Sequence, residues 1–170
     1  MSACPPSCGP SRRGAAAALL VISIAAVPPC AADPYPSDAD RAELNALLKN
    51  APSTVEGIAK AEADSSGSGH MFDEICGSWM MTAPDIQAFF KLGQSLPSEW
   101  SHGFDVYPCE LRGKLLVANR SFDFMLNLGS SAYLIESATG KQYFFGCEEA
   151  CTHLFPDGFG WTGDADSKGE

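Results

Sequence analysis

Residues 121–128 read Ser-Phe-Asp-Phe-Met-Leu-Asn-Leu, with Phe or Leu at every even position and mostly polar residues between them. Successive side chains of a β-strand point to opposite faces of a sheet, so a period of two is the pattern of a half-buried strand. The stretch therefore predicts a strand with one face on a core and the other facing water, as in antiparallel sheets.

Segments with strand-like character surround this stretch and are separated by short turns. Asn119-Arg120 predicts a tight hairpin, and Gly129-Ser130 and Thr139-Gly140 predict two more turns. Together they predict an antiparallel meander of four or five strands. The strands are expected at 105–111, 115–118, 121–128, 132–136 and 142–146.

The chain before the sheet has the spacing of helices. Ser37 with Asp40, and Thr82 with Asp85, are capping signals at helix starts. Four helices are expected, beginning at Ser37, Thr54, Met71 and Thr82. Their apolar sides are Leu44, Leu47 and Leu48; Val55, Ile58 and Ala59; Phe72, Ile75, Cys76, Trp79 and Met80; and Ile86, Phe89 and Phe90.

Helices followed by strands predict an α+β fold, with N-terminal helices before an antiparallel four- to five-stranded β-meander. We expect an N-terminal helical segment and flexible linker over 33–70, because Gly and Ser are concentrated near its end. An α+β core domain is expected over 71–156. A mobile acidic tail is expected over 157–170.

The first 32 residues have the layout of a secretory signal peptide. Two arginines precede a small and apolar run, 14–27, and two prolines end it before a set of small residues. Cleavage is expected close to Asp33, which predicts a periplasmic or secreted protein. The run is shorter than the roughly 20 residues that span a bilayer. The alternatives are a retained anchor, a twin-arginine signal and lipidation at Cys30.

The chain after residue 32 is strongly acidic. Its 21 acidic and 9 basic residues give a net charge of −12. Such a chain repels phosphate backbones and anionic membrane surfaces, so we expect no nucleic acid partner and no membrane insertion after signal cleavage. A cationic protein or peptide is the partner that this charge favours. Acidity that serves only solubility is the alternative.

Four cysteines remain after residue 32, and in an exported domain they predict two disulfides. Four cysteines allow three connectivities. The pairing that we expect is Cys76 with Cys109, joining helix to sheet, and Cys147 with Cys151, closing a short loop.

Complete catalytic motifs are missing from the sequence. His102 and Asp105 suggest a secreted hydrolase as an alternative, but no Gly-x-Ser-x-Gly motif accompanies them. Cys147, Cys151 and His153 have a spacing that zinc could use, although a disulfide would compete for both sulfurs. We therefore predict no catalytic residue, no metal and no cofactor.

Acidic residues on and beside the predicted sheet are the expected partner-binding residues. They are Asp105, Glu110, Asp123, Glu148 and Glu149. Met125 and Phe144 are expected on the sheet face away from the helices, which would make that face partly apolar. These features predict an exported, non-enzymatic protein-binding domain that inhibits a cationic toxin or enzyme. A hydrolase and an envelope structural protein are the alternatives.

Three stretches resemble a pattern found in small exported bacterial proteins. They are Tyr107-Pro108-Cys109-Glu110-Leu111-Arg112-Gly113-Lys114-Leu115, Phe122-Asp123-Phe124-Met125-Leu126-Asn127-Leu128-Gly129, and Phe145-Gly146-Cys147 to Cys151. Those proteins are similar to immunity proteins against antibacterial toxins, or are uncharacterised. The pattern has Ile-Asn-Ala-Gly where this chain has Leu126-Asn127-Leu128-Gly129. The shared motifs are structural, so the resemblance implies a protective binding function without assigning a functional residue.

Overall fold

Six strands form one antiparallel sheet in the computed structural model, which describes residues 34–61 and 72–160. The predicted signal peptide, most of the predicted linker and residues 161–170 lie outside the described residues. The elements in chain order are α1 (Asp38–Asn50), β1 (Ser53–Ala61), α2 (Asp73–Ser78), α3 (Ala83–Leu92), β2 (Gln94–Leu96), β3 (Glu110–Val117), β4 (Arg120–Asn127), β5 (Ser131–Glu136) and β6 (Gln142–Gly146). The order across the sheet is β1-β3-β4-β5-β6-β2. The predicted α+β class is confirmed, with six strands in place of four or five.

Strand β1 shows that the helix predicted from Thr54 is wrong. Val55 and Ile58 are three residues apart, a spacing typical of a helix. Gly57, at φ 63°, instead lies at a β-bulge where the pairing of β1 with β3 shifts its register. A bulge adds one residue to a strand, so residues three apart can point to the same face. Val55 is buried in the core, and Ile58 packs against it.

Strand β3 runs without a break through the segment that separates two predicted strands, 105–111 and 115–118. Gly113 lies in the middle of β3, opposite Phe124 of β4. A β-carbon on Gly113 would lie 2.8 Å from the Phe124 ring, so this glycine permits close packing and does not form a turn. The hairpin turn follows at Ala118-Asn119, one residue before its predicted position.

The helix starts at Ser37 and Thr82 are confirmed. Each side-chain hydroxyl accepts a hydrogen bond from the backbone N–H three residues later, and the aspartate at that position accepts one in return. The predicted helix over 71–81 is shorter in the structure, because α2 ends at Ser78 and the chain is extended at Trp79. As a result Met81 is buried, whereas Met80 is 53% exposed.

The core lies between one face of the sheet and the helices. Phe90 of α3 is at its centre, with its ring centroid 5.8 Å from that of Phe124 and 5.6 Å from that of Phe145. Leu44 and Leu48 of α1 belong to the same buried cluster. Helix α1 of the N-terminal segment therefore packs in the same core as the domain that the sequence predicts over 71–156.

The first residues of the predicted tail also pack on the fold. The Gly160 N–H donates to the Leu128 carbonyl at 3.1 Å, and the Phe159 ring contacts that of Tyr107 at 5.2 Å. The packed chain thus continues to residue 160, four residues beyond the predicted end of the core domain.

Ion pairs join α1 to the sheet at the end where β5 turns into β6. Lys141 pairs with Asp40 of α1 at 2.6 Å. Arg120 pairs with Glu136 at 2.7 Å and with Glu43 of α1 at 3.1 Å. These contacts link the helix to both hairpins at this end.

The same contacts shift the pKa values of two carboxyl groups. The hydrogen bond from Lys141, followed by those from Ser37, holds the pKa of Asp40 well below its usual 3.8. Burial raises the pKa of Glu136, but hydrogen bonds led by that from Arg120 outweigh burial, so its pKa lies below the usual 4.5. Both carboxylates therefore stabilise the fold in their charged form.

Both expected disulfides are present. Cys76 of α2 is bonded to Cys109, just before β3, with their Cα atoms 5.1 Å apart. Cys147 is bonded to Cys151 across a 5.7 Å Cα separation. Two disulfides in one small fold indicate an oxidising compartment. Among the helices within 34–61 and 72–160, none is long and apolar enough to cross a membrane.

Candidate functional site

Residues 97–109, which we call the strap, pass over the sheet face that lies away from the helices at Phe104 and end at Cys109, which is bonded to α2. The strap connects β2 to β3 and contains the 3₁₀ helix Ser98–Gly103. Its Phe104 ring packs against Phe144 of β6 with a centroid separation of 5.7 Å. Phe144 is consequently only 4% exposed. The prediction that Phe144 belongs to an exposed apolar face is therefore wrong.

Two glycines let the strap lie directly on the sheet. A β-carbon on Gly129 would lie 1.8 Å from the Asp105 carbonyl oxygen, and one on Gly146 would lie 2.2 Å from the Phe104 ring. Neither position has room for a side chain. Because Gly129 and Gly146 have no side chain, the strap can lie this close to the sheet.

The Asn127 side chain holds the strap by hydrogen bonds. Its Oδ1 accepts from the backbone N–H of Tyr107 at 3.1 Å and from that of Gly129 at 2.9 Å. Its Nδ2 donates to the Tyr107 carbonyl at 2.7 Å. Asn127 is 8% exposed, so these bonds are shielded from water. One buried amide thus satisfies three backbone groups and fixes the strap at Tyr107.

Four of the five predicted partner-binding residues lie at one end of the sheet. Across the paired strands, Glu110 is opposite Asn127, Asn127 is opposite Ser131, and Ser131 is opposite Gly146. These four residues therefore form one row across the end of the sheet. The backbone of Asp105 lies against Gly129 beside this row, and the chain leaves Gly146 towards the two remaining glutamates. We call this group the acidic end; it consists of Asp105, Glu110, Glu148 and Glu149.

Two of the predicted acidic residues are paired with cations of the same chain. Asp123, away from the acidic end, accepts a hydrogen bond from Lys114 at 2.7 Å. Glu110 accepts one from Arg112 at 3.1 Å. A carboxylate that already has a cationic neighbour attracts an external cation less strongly, so these two residues support the predicted role least.

Glu148 and Glu149 have different surroundings. Both are exposed, and within the described residues neither forms an ion pair. Glu149 begins the 3₁₀ helix Glu149–Leu154, and the Cys151 N–H donates to the Glu148 carbonyl at 3.0 Å. The Cys147–Cys151 disulfide encloses both glutamates, so their backbone is held in a short loop.

A pocket of about 290 Å³ lies beside these glutamates. Its lining residues are Leu92, Gly93, Gln94, Gly146, Cys147, Glu148, Glu149 and Ala150. Leu92, the last residue of α3, is 45% exposed. The pocket therefore combines apolar contact surface with two carboxylates, as a lysine or arginine side chain requires for its stem and its charged end.

Two long stretches around the acidic end contain no Lys or Arg. They are 92–111, which includes the strap, and 142–160, which includes β6 and the disulfide loop. The Asp105 carboxylate lies 3.5 Å from the Tyr107 hydroxyl. Burial, followed by the charge of Asp105, raises the pKa of Tyr107, so the phenol stays protonated. The strap and the disulfide loop thus contribute only carboxylates, whereas the cations Arg112 and Lys60 lie at the Glu110 side of this end.

The sequence interpretation did not identify two exposed apolar residues on the strap. Trp100 is 56% exposed and Val106 is 80% exposed. Both are on the segment that Asn127 and the two glycines hold in place. The residues that precede them, Glu99 and Asp105, are both acidic and exposed.

A second cavity of about 550 Å³ lies over β1, β3 and β4, where the strap does not cover the sheet. Its lining includes Met125, as expected for the outward face, together with Ile135. Its charged residues are Glu56, Arg112, Lys114 and Asp123, two of each sign. This balance of charge does not favour a partner of either sign, so the acidic end is the stronger candidate site.

The described residues do not assemble the alternative sites. His102 is exposed on the strap and makes no hydrogen bond to Asp105. Cys147 and Cys151 are bonded to each other, so their sulfurs do not supply thiolate ligands alongside His153. Within 34–61 and 72–160, no group of three or more His, Cys, Asp or Glu residues has the geometry of a metal site.

Comparison of the chain with protein-family models, curated proteins and solved structures finds no match. The resemblance to toxin-immunity proteins accordingly stays a prediction.

Proposed function

We propose that this protein is an exported binding domain that inhibits a cationic toxin or enzyme through its acidic end. The observation that carries this proposal is the pair Glu148 and Glu149, exposed and without an ion pair in the described residues, on a disulfide-closed loop beside a pocket. Fixed carboxylates can bind a cation without first losing the conformational freedom of a mobile loop. The proposed role is that of an inhibitor or immunity protein.

The proposed location is the periplasm or the extracellular medium. The two disulfides support an oxidising compartment, and the first 32 residues supply the proposed signal. Mass spectrometry of the exported protein should find an N-terminus within a few residues of Asp33. A lipid on Cys30, or an intact residue 1, would contradict this processing.

The charge reversal Glu148→Lys with Glu149→Lys tests the proposed site. We suggest two strongly basic secreted enzymes as probes, a lysozyme and a ribonuclease, with binding followed by biolayer interferometry. The variant should slow association about tenfold at low salt, because charges at an interface act mainly on the encounter rate. The difference should shrink at 0.5 M salt, where the Debye length is only about 4 Å.

The matched control is Asp164→Lys with Asp166→Lys, which makes the same charge change in the C-terminal residues 161–170. It should have a smaller effect than the loop variant. Equal effects of the two variants, or binding that ignores salt, would show that the acidity serves only solubility. If the protein binds neither basic enzyme, basic secreted enzymes are excluded as partners, and a structural role in the envelope is favoured.

A further inference from the structure

We infer that Trp100 and Val106 form the apolar centre of the same binding surface. This inference rests on the proposed function and specifies the partner further. The partner would be a cationic protein whose Lys and Arg residues surround an apolar cleft that accepts the Trp100 indole.

The exposure of these side chains is the first observation. Trp100 is 56% exposed and Val106 is 80% exposed, whereas the strap residue Phe104 is 6% exposed and packs on Phe144. The strap therefore carries one large apolar side chain that packs on the sheet and two that do not. The latter two contribute little to the packing of the fold. Tryptophan is also among the residues that most often dominate binding energy at protein interfaces.

The rigidity of the strap is the second observation. The Asn127 amide binds both backbone groups of Tyr107, and the strap lies against Gly129 and Gly146 where a β-carbon would not fit. A segment held in this way loses little conformational entropy when a partner binds. Val106 lies between Asp105 and Tyr107, where the strap is held, and is consequently a preorganised contact; Trp100 is on the 3₁₀ helix Ser98–Gly103 that directly precedes them.

The negative charge of the strap indicates which kind of partner would fit it. The strap has no Lys or Arg, and it includes the exposed acids Glu99 and Asp105. Asp105 lies at the end of the sheet from which the Glu148 loop leaves. A partner with basic residues around an apolar cleft satisfies both the carboxylates and the apolar residues. An acidic surface satisfies neither, and a uniformly polar surface leaves the apolar residues without a contact.

The test uses the full exported protein and the same two basic enzymes as probes. Trp100→Ala should raise Kd about 30-fold, the size of a hot-spot effect, mainly through faster dissociation. Trp100→Phe should retain most of the affinity, and Val106→Ser should weaken binding by a smaller factor. Tyr35→Ala is the control, because Tyr35 is 61% exposed beside Pro34, whose carbonyl accepts from Gln142 at the other end of β6.

The kinetic results separate this inference from the proposed function. If the Glu148 and Glu149 reversal slows association while Trp100→Ala leaves dissociation unchanged, the acidic site stands and the apolar centre is overturned. If Trp100→Ala speeds dissociation while the reversal has no effect, the apolar centre stands and the acidic site is overturned. If Tyr35→Ala weakens binding as much as Trp100→Ala, the strap is not the contact. Wild-type protein that binds neither enzyme overturns the basic partner and this inference with it. Circular dichroism of Trp100→Ala should match wild type.

Discussion

Replacing Asn127 by alanine should free the strap from the sheet. The change removes two acceptor contacts and one donor contact, and leaves the N–H groups of Tyr107 and Gly129 and the Tyr107 carbonyl without their partner. A typical hydrogen bond contributes about 1 kcal/mol net, so the loss of three predicts a destabilisation of about 3 kcal/mol. Asn127→Asp retains the acceptor but places a carboxylate oxygen against the Tyr107 carbonyl, so it should not restore the lost stability.

Urea unfolding and amide hydrogen exchange measure the two parts of this prediction. The free energy of unfolding should fall by about 3 kcal/mol, and the Tyr107 and Gly129 amides should lose protection before the core amides do. Asn119→Ala is the control, because Asn119 is exposed in the β3–β4 turn and should change stability little. A loss below about 1 kcal/mol for Asn127→Ala, or unchanged protection at Tyr107, would refute the idea that this amide holds the strap.

Three further results are expected. Because the pKa of Asp40 is lowered, its charged form adds stability above about pH 3.8, and this stability is lost as the pH falls below that value. Asp40→Asn should therefore reduce the dependence of the free energy of unfolding on pH in that range. A pH dependence identical to wild type would show that the pair with Lys141 contributes nothing. Replacing Cys76 and Cys109 by alanine should lower the free energy of unfolding by about 3–4 kcal/mol in the chain-entropy model. This loss should exceed that from removing the Cys147–Cys151 disulfide by about 2 kcal/mol, because the latter closes a much shorter loop. Equal losses in urea titrations would contradict that model here. His102→Ala should leave binding of the basic enzymes within about twofold, and loss of turnover on any substrate would instead support the hydrolase alternative.

The sequence predicts the fold well where one period is uninterrupted. The alternation over 121–128 identifies β4, and capping residues identify the starts of α1 and α3. It fails at β1, because the bulge at Gly57 gives a strand the spacing of a helix. It also fails in β3, because Gly113 has the composition of a turn, and its real role depends on Phe124 from another strand.

The candidate site is predicted only in part, for a similar reason. Glu148 and Glu149 are recognisable because their exposure follows from a local disulfide loop. The pairing of Asp123 with Lys114 depends on the register of two strands. The exposure of Trp100 depends on which side of the strap faces the sheet. Neither is a local property, and composition alone makes an aromatic residue look like a core residue.

The order of the disulfides has a consequence for how the chain matures. The four cysteines after residue 32 pair as first with second and third with fourth. In the proposed export from the N-terminus, with residues 1–32 and their three cysteines removed, Cys109 emerges while Cys147 is still to come. An oxidant that joins the remaining cysteines in their order of arrival would then form both native bonds directly. This maturation needs no exchange of mispaired disulfides, a step that is slow unless it is catalysed.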